Sequence, residues 1–105
     1  MKRVVLALAL ALPGAVLATQ LTARQGNDRV TITDRPCVNE KVIAVGVSLG
    51  VPKFVMEASR EATAVLNGKT YVACWQLGGD KVALIFEDGD GGLVSIQLFK
   101  PESEI

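Results

Sequence analysis

The amino-acid sequence predicts a small α+β domain, an antiparallel β-meander of about four to five strands with one short helical region and one disulfide. Three observations lead to this fold class. In the second half of the chain, short runs rich in β-branched and aromatic residues alternate with turns rich in Gly and Asp. The dipeptide Asn67-Gly68 separates two of these runs, and both residues tolerate the positive φ angles of a tight hairpin turn. Two cysteines, Cys37 and Cys74, follow an N-terminal segment that has the features of an export signal.

The composition bounds the number of domains and excludes several function classes. A chain of 105 residues is long enough for one domain. Its 11 basic and 11 acidic residues leave no basic excess, so nucleic acid is not an expected partner. The chain has no histidine, which removes the commonest general base and the commonest zinc ligand. We therefore expect a protein that is not an enzyme and that needs no cofactor.

Residues 1–18 are predicted to form a signal peptide. Lys2 and Arg3 supply the positive charge, residues 4–12 form an unbroken apolar run, and Ala18 is a small residue at the expected cleavage position. The apolar stretch is shorter than the roughly 20 residues that span a bilayer. We expect export to the periplasm or the medium, with no stable membrane anchor after cleavage. An uncleaved anchor is the alternative.

The expected export favours a disulfide between the two cysteines over free thiols. Disulfides persist in an oxidising compartment and two cysteines allow a single pairing, so Cys37 and Cys74 are predicted to be bonded to each other. In the chain-entropy model, closing this loop stabilises the fold by roughly 3–4 kcal/mol. Buried free thiols are the alternative. A redox role is not expected, because the two cysteines do not form a Cys-x-x-Cys motif.

The exported part is predicted to begin with a flexible leader and a strand. Residues 19–28 are polar and show no sustained periodicity, which is typical of a leader. Residues 29–33 alternate polar and apolar side chains, with Val30 and Ile32 on the inner face, as a half-buried strand does. Pro36 ends this strand because it has no N–H to donate.

A helical region is predicted next. Residues 39–45 favour a short helix with Asn39 as its N-cap, although the same apolar residues could also alternate along a strand. Pro52 is expected as the first residue of a second helical segment, 52–58. A continuous helix over residues 52–66 competes with the hairpin that the Asn-Gly dipeptide favours.

The C-terminal half is predicted to be the meander itself. Its four strands are expected at residues 61–66, 69–77, 81–87 and 93–99. Together with the preceding elements they form a single domain over residues 29–100, and the charged tail, 101–105, is expected to fray.

Two aromatic residues are the candidate binding residues. Tyr71 and Trp75 are four positions apart on one predicted strand, so they project from the same face of the sheet. If that face is covered, they belong to the core; if it is open, they form a surface typical of partner binding. Lys69 and Lys81, with the nearby acidic turn, would then form a charged rim.

The acidic turn contains Glu87, Asp88 and Asp90 in the sequence EDGDGG. Carboxylates in a Gly-rich loop can bind Ca²⁺, but Gly92 and Phe99 stand where an EF-hand requires further acidic ligands. The alternative is a solvated hairpin turn, which Asp-Gly sequences favour.

Three segments carry a resemblance to known proteins: DRPC at 34–37, GKTYVACW at 68–75 and EDGDGG at 87–92. The chain resembles a group of small exported bacterial and prophage-encoded proteins of uncharacterised function, which implies a bacterial origin and export. It is more weakly similar to periplasmic lysozyme inhibitors, which are small disulfide-bearing β proteins.

The function predicted from these features is a non-enzymatic binding or inhibitory module. Its expected partner is another protein of the envelope or the medium. The alternatives are a calcium- or other metal-binding domain that uses the acidic turn, a protein similar to the lysozyme inhibitors, and a structural accessory of a phage or of the cell envelope.

Overall fold

The computed structural model describes residues 19–102. The expected signal peptide, 1–18, and the last three residues of the expected tail lie outside the described residues. Within the described range, none of the helices has the length and apolar character needed to cross a membrane. The elements, in chain order, are β1 (Gln20–Gln25), β2 (Asp28–Pro36), α1 (Glu40–Ser48), α2 (Lys53–Glu57), β3 (Arg60–Leu66), β4 (Lys69–Gly78), β5 (Lys81–Phe86) and β6 (Gly91–Ser95), followed by a 3₁₀ turn at Ile96–Leu98.

All strands belong to one antiparallel sheet. Its six strands lie in sequence order, so each strand pairs with its chain neighbour. The sheet curls until the segment after β6 reaches the opposite edge. There Thr22 and Lys100 exchange two backbone hydrogen bonds, of 2.8 and 3.0 Å. The predicted antiparallel meander and its disulfide are confirmed, and the sheet has more strands than predicted.

The additional strand is β1, where a flexible leader was expected. Residues 20–25 pair along their whole length with β2, from Gln20 opposite Thr33 to Gln25 opposite Asp28. Only Leu21 and Ala23 of this strand are apolar, which leaves its alternation too weak to detect in the sequence. The leader prediction was wrong because the strand is stabilised by its pairing and not by its own hydrophobicity.

The C-terminal strand also differs from its prediction. Strand β6 begins at Gly91 and ends at Ser95, whereas residues 93–99 were expected. Its first two residues are glycines, which are typical of a turn, so the sequence places the start of the strand too late. After Ser95 the chain forms the 3₁₀ turn, and Phe99 is then buried in the core. In the expected tail, Glu102 is bound to β1 through Thr22 and Arg24.

The hairpin between β3 and β4 has the predicted turn. Asn67 has a φ of 54° and Gly68 a φ of 79°, the positive values that a type I′ turn requires. Since β3 begins at Arg60, the alternative of a continuous helix up to residue 66 was wrong.

The helical region consists of two helices that pack on the outer, convex face of the sheet. Asn39 caps α1, accepting a 3.0 Å hydrogen bond at Oδ1 from the amide of Val42. Pro52 lies one position outside α2, as its N-cap, rather than in its first turn. Gly46 of α1 touches Met56 of α2 so closely that a Cβ at Gly46 would overlap the methionine sulfur.

The curl creates two separate cores. The core inside the curl contains alanines at its centre, and small side chains let strands approach tightly across the concave face. Its buried members are Ala23, Ile32, Ala62, Ala64, Ala73, Val82, Leu84, Phe86 and Phe99.

The second core lies between the helices and the convex face. Its buried members are Cys37, Val42, Met56 and Cys74. The predicted Cys37–Cys74 disulfide is confirmed, with the two Cα atoms 5.6 Å apart. It links the segment after β2 to the middle of β4, so it joins the helical layer to the sheet.

Candidate functional site

Tyr71 and Trp75 share one face of β4, as their spacing predicts, and this is the inner face of the sheet. The Tyr71 ring meets Phe86 edge-to-face with the ring centres 5.8 Å apart. The indole N–H of Trp75 donates a 2.8 Å hydrogen bond to the backbone carbonyl of Thr33 on β2. Both side chains are half-buried and pack against the inner core. Most of their surface therefore contacts the protein's own core.

The two lysines of the expected charged rim lie at opposite ends of β4. Lys69 begins this strand opposite Leu66, whereas Lys81 pairs with its last residue, Gly78. Lys69 borders a shallow groove beside Tyr71 and the acidic turn, and Lys81 forms a 3.6 Å ion pair with its neighbour Asp80. The charged rim stays a prediction, with Lys69 beside Tyr71 and the acidic turn and Lys81 at the far end of β4. The hairpin topology separates the two lysines, which the linear sequence does not reveal.

The acidic turn connects β5 to β6 and is tied together by its own backbone. The amide of Phe86 donates to the carbonyl of Asp90 at 2.8 Å, and the amide of Asp90 donates to Asp88 Oδ1 at 3.0 Å. Glu87 faces Lys41 of α1, with a 3.9 Å separation between Oε2 and Nζ. Within residues 19–102, no group of three or more His, Cys, Asp or Glu side chains is arranged to hold a metal ion. The turn chemistry accounts for these carboxylates.

An apolar groove between the two helices is the most prominent feature that the sequence did not predict. Its volume is about 550 Å³. We call it the helical groove, and its lining residues are Glu40, Ile43, Ala44, Val47, Ser48, Lys53 and Glu57. Its floor is aliphatic and its rim is charged. A signal was present in the sequence, because α1 carries apolar residues on more faces than the sheet can cover.

Further apolar side chains of the helical layer are exposed near this groove. Phe54, which follows the groove residue Lys53 on α2, is 74% exposed. Val47 and Leu49, at the end of α1, are also exposed. Phe54, Val47 and Leu49 thus add exposed apolar surface to the helical layer.

Helix α2 is attached to both the sheet and α1. Gln76 of β4 donates a 2.6 Å hydrogen bond from Nε2 to the carbonyl of Val55 in α2. Met56, on the opposite side of α2 from Phe54, is buried against Gly46. Lys53 and Glu57 form an ion pair of 4.0 Å along one side of the helix. The groove is thus bordered by one positive and one negative charge from the same helix.

The convex face beyond the helices forms a second, polar groove of about 510 Å³. Threonines occupy neighbouring positions on its strands, with Thr22 paired to Thr31 and Thr31 to Thr63. Three of its charged residues, Arg35, Glu61 and Glu102, take part in ion pairs. Arg35 lies 3.1 Å from Glu61, and Glu102 lies 3.2 Å from Arg24. Hydrogen bonds from Thr22 and Arg24 lower the pKa of the Glu102 carboxyl.

No protein-family model, curated protein or solved structure matches the chain. The resemblance to small exported bacterial and prophage-encoded proteins stays a prediction. Among the grooves described above, the helical groove has the most apolar lining. In the polar groove, Arg35 is paired with Glu61 and Glu102 with Arg24, and in the acidic turn Asp88 accepts from a backbone amide while Glu87 faces Lys41.

Proposed function

We propose that this protein is a non-enzymatic binding module that attaches to another protein of the bacterial envelope or medium through the helical groove. The observation that carries the proposal is the exposed Phe54, which follows Lys53 of the apolar groove between the two helices. Protein interfaces are centred on a few aromatic and aliphatic anchors, while charged residues surround them. The helical groove has this arrangement, with Ile43 and Val47 inside and Lys53 and Glu57 on the rim.

The compartment in the proposal rests on two features of the chain. The first is the export signal expected over residues 1–18. The second is the Cys37–Cys74 disulfide, a bond that persists outside the reducing cytoplasm. A partner in the periplasm or medium follows from these features, and inhibition of that partner would follow if the groove covered its working surface.

The test is capture of a partner from envelope extract with the oxidised protein, followed by measurement of affinity with the purified partner. Phe54→Ser removes the proposed anchor, and Leu98→Ser removes a 57% exposed leucine that lies after β6, outside the helical layer. Removing a hot-spot aromatic costs about 2 kcal/mol or more, so Phe54→Ser should weaken binding by roughly 30-fold. Leu98→Ser should leave affinity within about twofold of the original.

Equal affinity for the two variants would overturn the proposal that the helical layer around Phe54 is the binding surface. Lysozymes belong among the purified baits, because the weaker resemblance is to lysozyme inhibitors. Inhibition of a lysozyme that is lost in Phe54→Ser but kept in Leu98→Ser would identify the partner class. Absence of any saturable partner in the extract and among the baits would contradict the proposed function.

A further inference from the structure

Strand β6 is the open edge of the sheet. Among residues 19–102 it pairs with β5 alone, and a backbone hydrogen bond lies at each end of this ladder. Phe86 donates to the Asp90 carbonyl at 2.8 Å, and Ile96 donates to the Asp80 carbonyl at 2.9 Å. In an antiparallel ladder, successive residues of a strand direct their N–H and C=O groups alternately toward and away from the neighbouring strand.

This alternation determines which groups face outward. Asp90 and Ile96 face β5, and so do Gly92 and Val94 between them. Gly91, Leu93 and Ser95 therefore direct their N–H and C=O groups away from β5. The edge presents three donors and three acceptors in a row.

The edge also lacks the features that normally prevent association. Strand β6 has the sequence GGLVS, which contains neither proline nor a charged residue. Its register with β5 is continuous, so it contains no β-bulge. Leu93, at its centre, is 70% exposed. By contrast, the middle of the β1 edge is occupied at Thr22, which is hydrogen-bonded to Lys100, and the strand carries Arg24, which is ion-paired with Glu102.

We propose that a second copy of this chain pairs with β6, edge to edge and antiparallel, about a two-fold axis through Leu93. In this register Gly91 lies opposite Ser95 of the second copy, and Leu93 lies opposite its own counterpart. All the outward-facing groups of both copies then pair, in six hydrogen bonds between the chains. If the two-fold axis passed through Gly92 or Val94, the residue on the axis would direct its N–H and C=O groups toward β5. These groups could not bond to the second copy.

Side chains and charges agree with this arrangement. The two Leu93 side chains become direct cross-strand neighbours on the same face of the joined sheet, so each covers the other's exposed surface. The antiparallel direction also keeps the two acidic turns apart. A parallel alignment would place the acidic turns side by side.

The first experiment tests the register by cross-linking. Leu93→Cys is compared with Leu77→Cys, which replaces a 60% exposed leucine at the end of β4, away from the β6 edge. Directly opposed residues of this type have Cα atoms about 5.5 Å apart, a separation that a disulfide spans. Under mild oxidation Leu93→Cys should form a covalent dimer at least tenfold faster than Leu77→Cys. Equal rates would overturn the proposal.

The second experiment measures reversible association by sedimentation velocity over a concentration series. The unmodified protein should show a dimer that Leu93→Pro abolishes, because proline removes an outward N–H and leaves the β5 ladder complete. Leu93→Lys and Leu93→Glu keep the N–H and provide a test that does not depend on tolerance of proline. Each should be monomeric alone, and an equimolar mixture should dimerise again, since opposite charges then meet across the axis.

A protein that stays monomeric throughout the series would overturn the proposal, and so would one whose β6 edge accepts only an extended peptide of another protein. A mixture of the two charge variants that remains monomeric would reject the Leu93 register. The proposed function is tested at Phe54 on the helical layer, so either proposal can fail without the other.

Discussion

The indole N–H of Trp75 donates a 2.8 Å hydrogen bond to the carbonyl of Thr33, and β3 lies between the two strands that carry these residues. The contact is possible because Trp75 pairs with Arg60, the first residue of β3, so the indole passes the end of that strand. The register of β2 shifts between Ile32 and Pro36, where the ladder to β3 is interrupted. Trp75 thus joins β4 to the irregular part of β2.

We predict that Trp75→Phe lowers the free energy of unfolding by about 1–3 kcal/mol, because a partly buried carbonyl loses its donor and the inner core loses contacts. Tyr71→Phe is the matched control: it keeps the edge contact with Phe86 and should change stability by less than about 0.5 kcal/mol. Urea denaturation followed by circular dichroism measures both. Equal losses for the two variants would contradict a specific role for the indole N–H.

Removing the disulfide should lower stability strongly. The double variant Cys37→Ala/Cys74→Ala releases a loop that joins the helical layer to β4, and we expect a loss of roughly 3–4 kcal/mol. Guanidinium denaturation of the oxidised protein and of this variant gives the difference. Reduction of the unmodified protein should reproduce most of the loss, and a loss below about 1 kcal/mol would show that the second core is stable without the bond.

The contact between the two helices should not tolerate a methyl group. Gly46→Ala drives a Cβ into the Met56 side chain, and we expect a loss of about 1–3 kcal/mol from overpacking. The sign of the change in unfolding free energy distinguishes the two effects, because replacing glycine by alanine inside a helix otherwise stabilises the helix by about 1 kcal/mol.

The matched control for this contact is Gly78→Ala. No atom lies within 4 Å of a Cβ added at Gly78, so this change should alter stability by no more than about 0.5 kcal/mol. Thermal denaturation separates the two. A stabilised Gly46→Ala variant would show that Met56 moves aside without cost.

Glu102 should make stability depend on pH in the acid range. Its folded pKa lies below the usual value because Thr22 and Arg24 donate hydrogen bonds to the charged carboxylate. A lowered folded pKa adds stability above the unfolded pKa, and this contribution is lost as the pH falls through the folded pKa.

The measurement for Glu102 is the unfolding free energy of the unmodified protein and of Glu102→Gln as a function of pH. Glu102→Gln should be the less stable of the two at neutral pH, and the difference should disappear in acid. Since the side chain is exposed, high salt should shrink the difference as well. A difference that is constant over the whole pH range would exclude the carboxylate as its source.

Local chemistry explains the parts of the fold that could be predicted. Asn67-Gly68 turns the chain through two positive φ angles whatever surrounds it, and Asn39 caps the amide of Val42 three residues away. The disulfide followed from an even cysteine count and an expected export signal. Each of these features depends on residues that are close in sequence, or on a cysteine count that allows only one pairing.

Long-range pairing explains the parts that were missed. Strand β1 has too few apolar residues to reveal itself and depends on β2 and Lys100 for its partners. The placement of Lys69 and Lys81 at the two ends of β4 likewise follows from the hairpins. The exposed Phe54 could not be distinguished from a core residue until the side of α2 that contacts Gly46 was known.

By itself, the sequence determined an antiparallel, disulfide-bonded meander with a capped helix, because turns, caps and cysteine pairing depend on neighbours along the chain. The tertiary structure alone decided that Tyr71 and Trp75 pack against the inner core, that the helices leave an apolar groove, and that β6 remains an open edge. The physical reason is burial. The packing of strands and helices against one another determines which apolar side chains are exposed to water. This packing depends on contacts between residues that are far apart in the chain.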